Sequence, residues 1–181
     1  MEELVEKAKN GDKEAFATII LSLEDDLYRI AELRLSNKDD IFDAIQETII
    51  IALQSIKKLR ENQYFKTWII KILINQSNYI YRQKNKKKVI SFEEIENVET
   101  INTYDLESLE KTMDFNFMCK NLKYEERLII SLYYMEKFTD KEIGKALKIK
   151  ESTVTTKRTR AKQKIKNILE EGGRKNGWWT R

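Results

Sequence analysis

The chain has 181 residues, 35% of them charged, yet a formal net charge of only +4. Its one cysteine, Cys119, excludes an internal disulfide, and the absence of histidine leaves no donor set for a structural zinc site. With no proline and five glycines, long helices joined by few tight turns are expected.

The opening Met-Glu-Glu-Leu-Val-Glu-Lys lacks the basic and apolar regions of a signal peptide. The longest uninterrupted apolar run, Ile49 to Leu53, is far short of a membrane span. A cytoplasmic protein with no membrane insertion of its own is expected. Residues 2 to 9 read as a short helix, broken at Gly11-Asp12, where Asp12 can cap the next. In that second helix Phe16, Ile19, Ile20, Leu23, Leu27, Ile30 and Leu33 recur at three- and four-residue steps. Asp39 or Asp40 can cap a third helix, whose apolar stripe is Ile41, Ile45, Thr48, Ile49, Ala52, Ile56 and Leu59. Lys58 to Gln63 is a polar break. A fourth helix is expected from about Tyr64 to Arg82, with Phe65, Trp68, Ile69, Ile72, Leu73, Gln76, Tyr79 and Ile80 inward. One short and three long amphipathic helices can bury a common core.

The fourth helix carries a second stripe. Thr67, Lys71, Asn75, Asn78 and Arg82 are spaced by four, four, three and four residues and share one face. All form hydrogen bonds and none is acidic, whereas an ordinary wet face mixes in Asp and Glu. Lys84, Lys86, Lys87 and Lys88 continue the basic character. The pattern tilts the reading towards nucleic acid.

From Val89 to Met118 eight acids oppose only Lys111. The first part reads as an acidic flexible linker, a solvated spacer by sequence alone. From about Leu106, Leu109, Met113 and Phe117 restore a helical stripe. Another helix is expected from Lys123 to Met135, with Leu128, Ile129, Leu132 and Tyr133 inward. Thr139 and Glu142 form a capping-box pattern that starts a short helix with Ile143, Ala146 and Leu147 on its apolar side. Lys148 and Ile149 make a tight connection, with Ile149 as a buried plug. A further helix places Val154, Ala161, Ile165 and Ile168 on one face and basic or hydroxyl residues between them. The two read as a helix-turn-helix. The alternative is a solvated lysine-rich surface helix. From residue 170 the chain reads as a tail, with Trp178 and Trp179 near its end.

Charge follows this division. Residues 1–82 hold 12 Lys/Arg and 14 Asp/Glu, and residues 121–181 hold 16 and 8. The basic excess sits with the helix-turn-helix, as a nucleic-acid footprint should. Lys and Arg neutralise phosphates. Threonine hydroxyls bond to phosphates and base edges, and Arg160 can bridge two acceptors on a guanine. No histidine, clustered acids at metal spacing or glycine-rich phosphate loop points to an enzyme, so no catalytic residue, metal or cofactor is expected.

Asp43-Ala44-Ile45-Gln46-Glu47-Thr48, the block Phe65-Lys66-Thr67-Trp68-Ile69-Ile70-Lys71-Ile72 with Asn75, Tyr124-Glu125-Glu126-Arg127, and Ser152-Thr153-Val154 with Arg160-Ala161-Lys162 occur in this order. They resemble region 2 and region 4 motifs of the extracytoplasmic-function sigma factors of bacterial RNA polymerase, over about residues 5–170. The resemblance implies an all-α fold of two small helical domains. Residues 1–83 are a region 2-like bundle, 84–105 a linker, 106–170 a region 4-like helix-turn-helix domain and 171–181 a tail. It implies promoter DNA and core polymerase, through its β′ clamp helices and β flap, as partners, and an anti-sigma protein as regulator. Asp43, Gln46 and Glu47 would dock on the clamp helices. Thr67, Lys71, Asn75, Asn78 and Arg82, with Arg60 and Asn62 in a loop that receives a flipped base, would read the −10 element. Thr153, Thr155, Thr156, Lys157, Thr159 and Arg160 would read the −35 element. The linker would thread into the polymerase near its active centre.

The chain departs from the family pattern at several positions. Lys123 stands where a proline is usual, Lys150 replaces a serine cap, Thr155 a basic residue and Arg158 an apolar one. Arg158 is expected to pack its stem along the helix and keep its charge outside. The competing function is a stand-alone helix-turn-helix regulator that binds an operator without polymerase. Such a regulator has no need of a second DNA-facing helix. Reach also favours polymerase: the 22 residues from 84 to 105 span at most about 75 Å and average about 25–30 Å as a coil. Promoter elements two helical turns apart are separated by about 70 Å, so a rigid third body must hold the modules.

Overall fold

The computed structural model describes residues 1–87 and 121–176, and these are helical in two separately packed units. The acidic linker, the stripe of Leu109, Met113 and Phe117, and Trp178-Trp179 lie outside the described residues.

The first unit begins with α1 (Glu2–Lys9), which buries Val5 and Ala8. Asp12 caps α2 (Lys13–Ser22), its carboxylate accepting from the Glu14 and Ala15 amides at 3.0 Å. The expected continuous second helix is two helices. α2 stops at Leu23, and α3 (Glu24–Glu32) starts there afresh. Two local features explain the break. The Ser22 hydroxyl donates to the Ile19 carbonyl at 2.7 Å, and Glu24, Asp25 and Asp26 favour the positive end of a new helix. Leu23 at the corner is buried, so the apolar periodicity survives the break and conceals it.

Asn37, rather than Asp39 or Asp40, caps α4 (Lys38–Ser55), accepting from the Asp39 and Asp40 amides at 2.8 and 3.2 Å. An acid in the first turn complements the dipole without having to be the cap. Asp40 instead pairs with Lys84 at 2.6 Å. α4 buries Ile41, Ala44, Thr48 and Ala52, while Ile45 and Ile49 are half-buried. Thr48 is satisfied in the core by donating to the Ala44 carbonyl at 2.6 Å. Two 3₁₀ turns, Ile56–Lys58 and Asn62–Tyr64, occupy the expected polar break.

α5 (Phe65–Lys87) is longer than the periodicity predicts. Phe65, Ile69, Ile70, Leu73, Ile74 and Ser77 are buried, each large apolar side chain contributing about 1.5–3 kcal/mol. Tyr79, placed inward by periodicity, is 58% exposed, and Trp68, Ile72, Gln76 and Ile80 are half-buried. The contacts at this end of α5 fall on another side of the helix, where Arg34 lies 3.5 Å from the centre of the Tyr81 ring and Lys84 pairs with Asp40.

The second unit contains α6 (Tyr124–Tyr134), α7 (Asp140–Leu147) and α8 (Glu151–Asn176). Leu128, Ile129, Leu132, Ile143, Val154 and Ala161 form its core, and Leu122, Ile130 and Ile165 pack about Ala161. Thr139 caps α7 through a reciprocal box with Glu142, as the spacing predicts. Lys148 ends α7 in the left-handed conformation, with φ 57°, and the Ile149 amide bonds back to the Gly144 carbonyl at 3.0 Å. Ile149 is half-buried rather than a buried plug, because the connection turns at the surface. Gly144 explains how tight the turn is: a Cβ there would lie 2.9 Å from the Ile149 carbonyl oxygen. The backbone of α8 stays helical through Asn176, beyond the expected start of the tail.

Candidate nucleic-acid interface

In the second unit Ser152, Thr155, Thr156, Thr159 and Arg160 line one shallow groove on the exposed side of α8. Val154 and Ala161, buried against α6 and α7, aim that face outward. The six residues expected to meet DNA are therefore distributed unequally. Thr155, Thr156, Thr159 and Arg160 share the groove, whereas Lys157 and Thr153 sit half-buried beside it. Lys157 pairs with Glu125 of α6, and Lys164 pairs with Glu126 at 2.7 Å. Both acids stand at the N-terminus of α6, so α8 is steered onto α6 by charge as well as by its apolar stripe.

Arg158 corrects an expectation. Its charge is not outside. Nε and Nη2 donate to Asp140 Oδ1 and Oδ2 at 2.9 Å each, and the guanidinium lies 4.0 Å from the centre of the Tyr133 ring. The arrangement is a bidentate pair with a cation–π contact. Thr155 Oγ1 donates to the same carboxylate at 2.7 Å. Two departures from the family pattern, at 155 and 158, thus meet at Asp140. Arg158 holds the Asp140 carboxyl below the usual carboxylate range, against the opposing effect of burial and with help from Thr155. Burial pushes Glu126 up, but Lys164 and the Lys123 amide outweigh it and bring that carboxyl below its ordinary value.

Sequence reasoning missed a second groove around the turn, lined by Lys141, Gly144, Lys145, Lys148, Ile149, Lys150 and Glu151. Lys141, Lys145 and Lys148 stand at four- and three-residue spacing, which was the signal available in the sequence, and only Lys150 is brought to them by the folded turn.

In the first unit the acid-free stripe is a real face of α5. Asn75 and Arg82 are exposed, and Thr67, Lys71 and Asn78 half-buried. Tyr79 joins it, four residues from Asn75 and three from Arg82, and an exposed ring there can stack on a base. Its spacing to those polar residues was the signal available in the sequence. In the preceding loop Arg60 is exposed, but the Asn62 amide is engaged by α1: Lys9 Nζ donates to its oxygen at 3.0 Å, and its nitrogen donates to Glu6 at 2.7 Å. Asn62 therefore anchors the loop. On α4, Asp43, Gln46 and Glu47 are all exposed and on one face. Phe42, Ile50 and Leu53, each close to half exposed, extend it. Periodicity could not single these three out, because α4 is apolar on more than one side.

A two-unit helical protein with a cation- and hydroxyl-lined helix-turn-helix in one unit and an acid-free helix face in the other has the build of a DNA-binding protein. Residues 19–87 match Sigma-70 region 2, and residues 120–167 match Sigma-70 region 4. The chain belongs to the sigma-70 family, in its extracytoplasmic-function group. It is 30% identical over 155 residues to the RNA polymerase sigma factor SigV of Bacillus subtilis, covering 86% of this chain and 91% of that protein. It is 26% identical to the ECF sigma factor SigW of the same organism, covering 92% and 95%. The ECF sigma-E factor of Haemophilus influenzae is 27% identical, with coverage of 92% and 94%. Among solved structures, CnrH in complex with the cytosolic domain of CnrY shares the fold with a TM-score of 0.68 at 18% identity, over 94% of this chain and 97% of that one. The sigma factor RpoE bound to the anti-sigma factor NepR, from Bartonella quintana, does so with a TM-score of 0.67 at 20% identity, over 86% and 96%. Among the described residues no helix is long and apolar enough to cross a membrane.

Proposed function

We propose that the chain binds core RNA polymerase and directs it to promoters of a signal-responsive set of genes, melting the DNA for initiation. The observation that carries this is the exposed face of α4. A stripe of Asp43, Gln46 and Glu47 flanked by Phe42, Ile50 and Leu53 is an apolar strip rimmed by polar groups, the character of an interface core. Its proposed partner is the pair of β′ clamp helices, with the second unit on the β flap. Thr67, Lys71, Asn75, Asn78, Arg82 and Tyr79 then face the −10 element, with Arg60 and the loop held by Asn62 beside the flipped base. The groove of α8 faces the −35 element, and Thr153 and Lys157 flank it. Residues 1–83 and 106–170 act as the two reading modules, with 84–105 between them. The anti-sigma factor NepR named with RpoE, and the cytosolic domain of CnrY bound to CnrH, support a similar protein inhibitor for this chain.

The test is run-off transcription with core polymerase, with and without the protein, together with gel filtration of the mixture. Co-elution and promoter-dependent transcripts are expected, both lost in an Ile50→Asp, Leu53→Asp double variant that still folds. Nanomolar binding to an operator without polymerase, and no co-elution, would replace this reading with the stand-alone regulator.

A further inference from the structure

A threonine hydroxyl has one hydrogen and two lone pairs, so where its hydrogen goes decides what it can read. Thr155 Oγ1 lies 2.7 Å from Asp140 Oδ2 and 3.2 Å from the Glu151 carbonyl oxygen. Both neighbours only accept. The hydrogen is therefore spent inward, and the lone pairs and the methyl are what the groove receives. The carboxylate cannot rotate away from this task, because Arg158 grips both of its oxygens and is itself seated on Tyr133. Thr156 is disposed similarly, donating to the Ser152 carbonyl at 2.9 Å. Arg160, in the same groove, has only donors to offer.

We infer that Asp140 is a positioning residue for promoter specificity: by offering Thr155 a shorter inward bond than the Glu151 carbonyl does, it holds Thr155 as an acceptor towards the groove, which selects a base with an exocyclic amino group at the −35 position it faces. In the major groove adenine offers N6–H and cytosine N4–H, whereas guanine offers only acceptors and thymine an acceptor and a methyl. A lone-pair-only threonine pairs with adenine or cytosine on the strand it meets and leaves guanine O6 unpaired. One neutral hydrogen bond of this kind discriminates about three- to tenfold. The inference rests on the proposed reading of α8 as the −35 helix, but it concerns Asp140, a residue of α7 that lies outside the groove lining.

The experiment measures promoter affinity of the holoenzyme across all four base pairs at each −35 position. The wild-type protein should prefer adenine or cytosine over guanine at one position. Asp140→Asn keeps an oxygen for Arg158 Nε but turns an amide N–H to Thr155 and Arg158 Nη2, so only the 3.2 Å bond to the Glu151 carbonyl still draws the Thr155 hydrogen inward. The preference for adenine or cytosine at that position should weaken, with other positions unchanged. Thr155→Val leaves the Asp140–Arg158 pair intact and should abolish the adenine and cytosine preference. Asp140→Asn in the Thr155→Val background should change no base preference further. A uniform loss at every position in Asp140→Asn would make Asp140 merely structural and overturn the inference. Retention of the preference in Thr155→Val would overturn it even where Asp140→Asn does not fold. If Arg160→Ala relaxes one position while neither of these variants changes any, the −35 reading stands and this inference alone fails. If the wild-type holoenzyme shows no base preference in this segment, the −35 reading itself fails.

Discussion

Gly144→Ala tests whether the turn between α7 and α8 is as tight as its geometry indicates. Gly144 is buried in a helix with ordinary backbone angles, so alanine brings a local gain of about 1 kcal/mol in helix propensity. Against it, the new Cβ would sit 2.9 Å from the Ile149 carbonyl oxygen and 3.5 Å from the Glu151 amide nitrogen. Both are backbone atoms and neither can swing aside. The strand of chain carrying Lys148 and Ile149 must move outward by a few tenths of an ångström, straining the 3.0 Å bond from the Ile149 amide to the Gly144 carbonyl. Overpacking of this kind costs about 1–3 kcal/mol. The net effect on the second unit is a loss of about 0–2 kcal/mol. At the middle of that range, amide exchange in α6, α7 and α8 should accelerate about fivefold, since the local opening free energy falls by about 1 kcal/mol. Exchange in α1 to α5 should not change. Because α8 starts at Glu151, the same shift displaces the recognition groove, and −35 affinity should fall further than stability does. Slower exchange with unaltered promoter affinity would show that the turn has slack and that Gly144 is there for no steric reason.

Changing Lys71 and Asn75 together to alanine should impair promoter opening, read by permanganate reactivity of melted thymines, while leaving the −35 contact intact. Glu125→Gln should free Lys157 for a phosphate, raising affinity for all sequences and steepening the salt dependence by about one unit; no change would mean that Lys157 stays committed to α6. Arg160→Ala should relax preference at one −35 base pair, whereas a uniform loss across sequences would reduce Arg160 to a phosphate clamp. The Asp140 carboxyl is lowered in the folded protein, so its pairing stabilises above the unfolded value of about 3.9 and is lost as pH falls through the lower folded value. Acid unfolding of the second unit should therefore be less steep below about pH 4 in Asp140→Asn, measured by α6 to α8 amide signals.

Local chemistry alone determined a good deal of this protein. The capping box at Thr139 and Glu142, the Asp12 cap, the buried stripe of Ile69 and Leu73 and the acid-free face of α5 depend on neighbours within four residues. The resemblance to sigma factors rested on such short blocks, and it led to the right family. What the sequence could not decide is where unrelated stretches meet. Leu23 keeps the apolar period across a corner, so one helix and two helices look alike until the packing is seen. Tyr79 has the period of a core residue, but burial depends on whether another helix reaches it. Arg158 and Asp140 are 18 residues apart, and nothing local says that one will neutralise the other. A charged side chain reports its own valence in the sequence. Its partner, and with it the direction in which Thr155 points its hydrogen, is set only when α6, α7 and α8 close on one another.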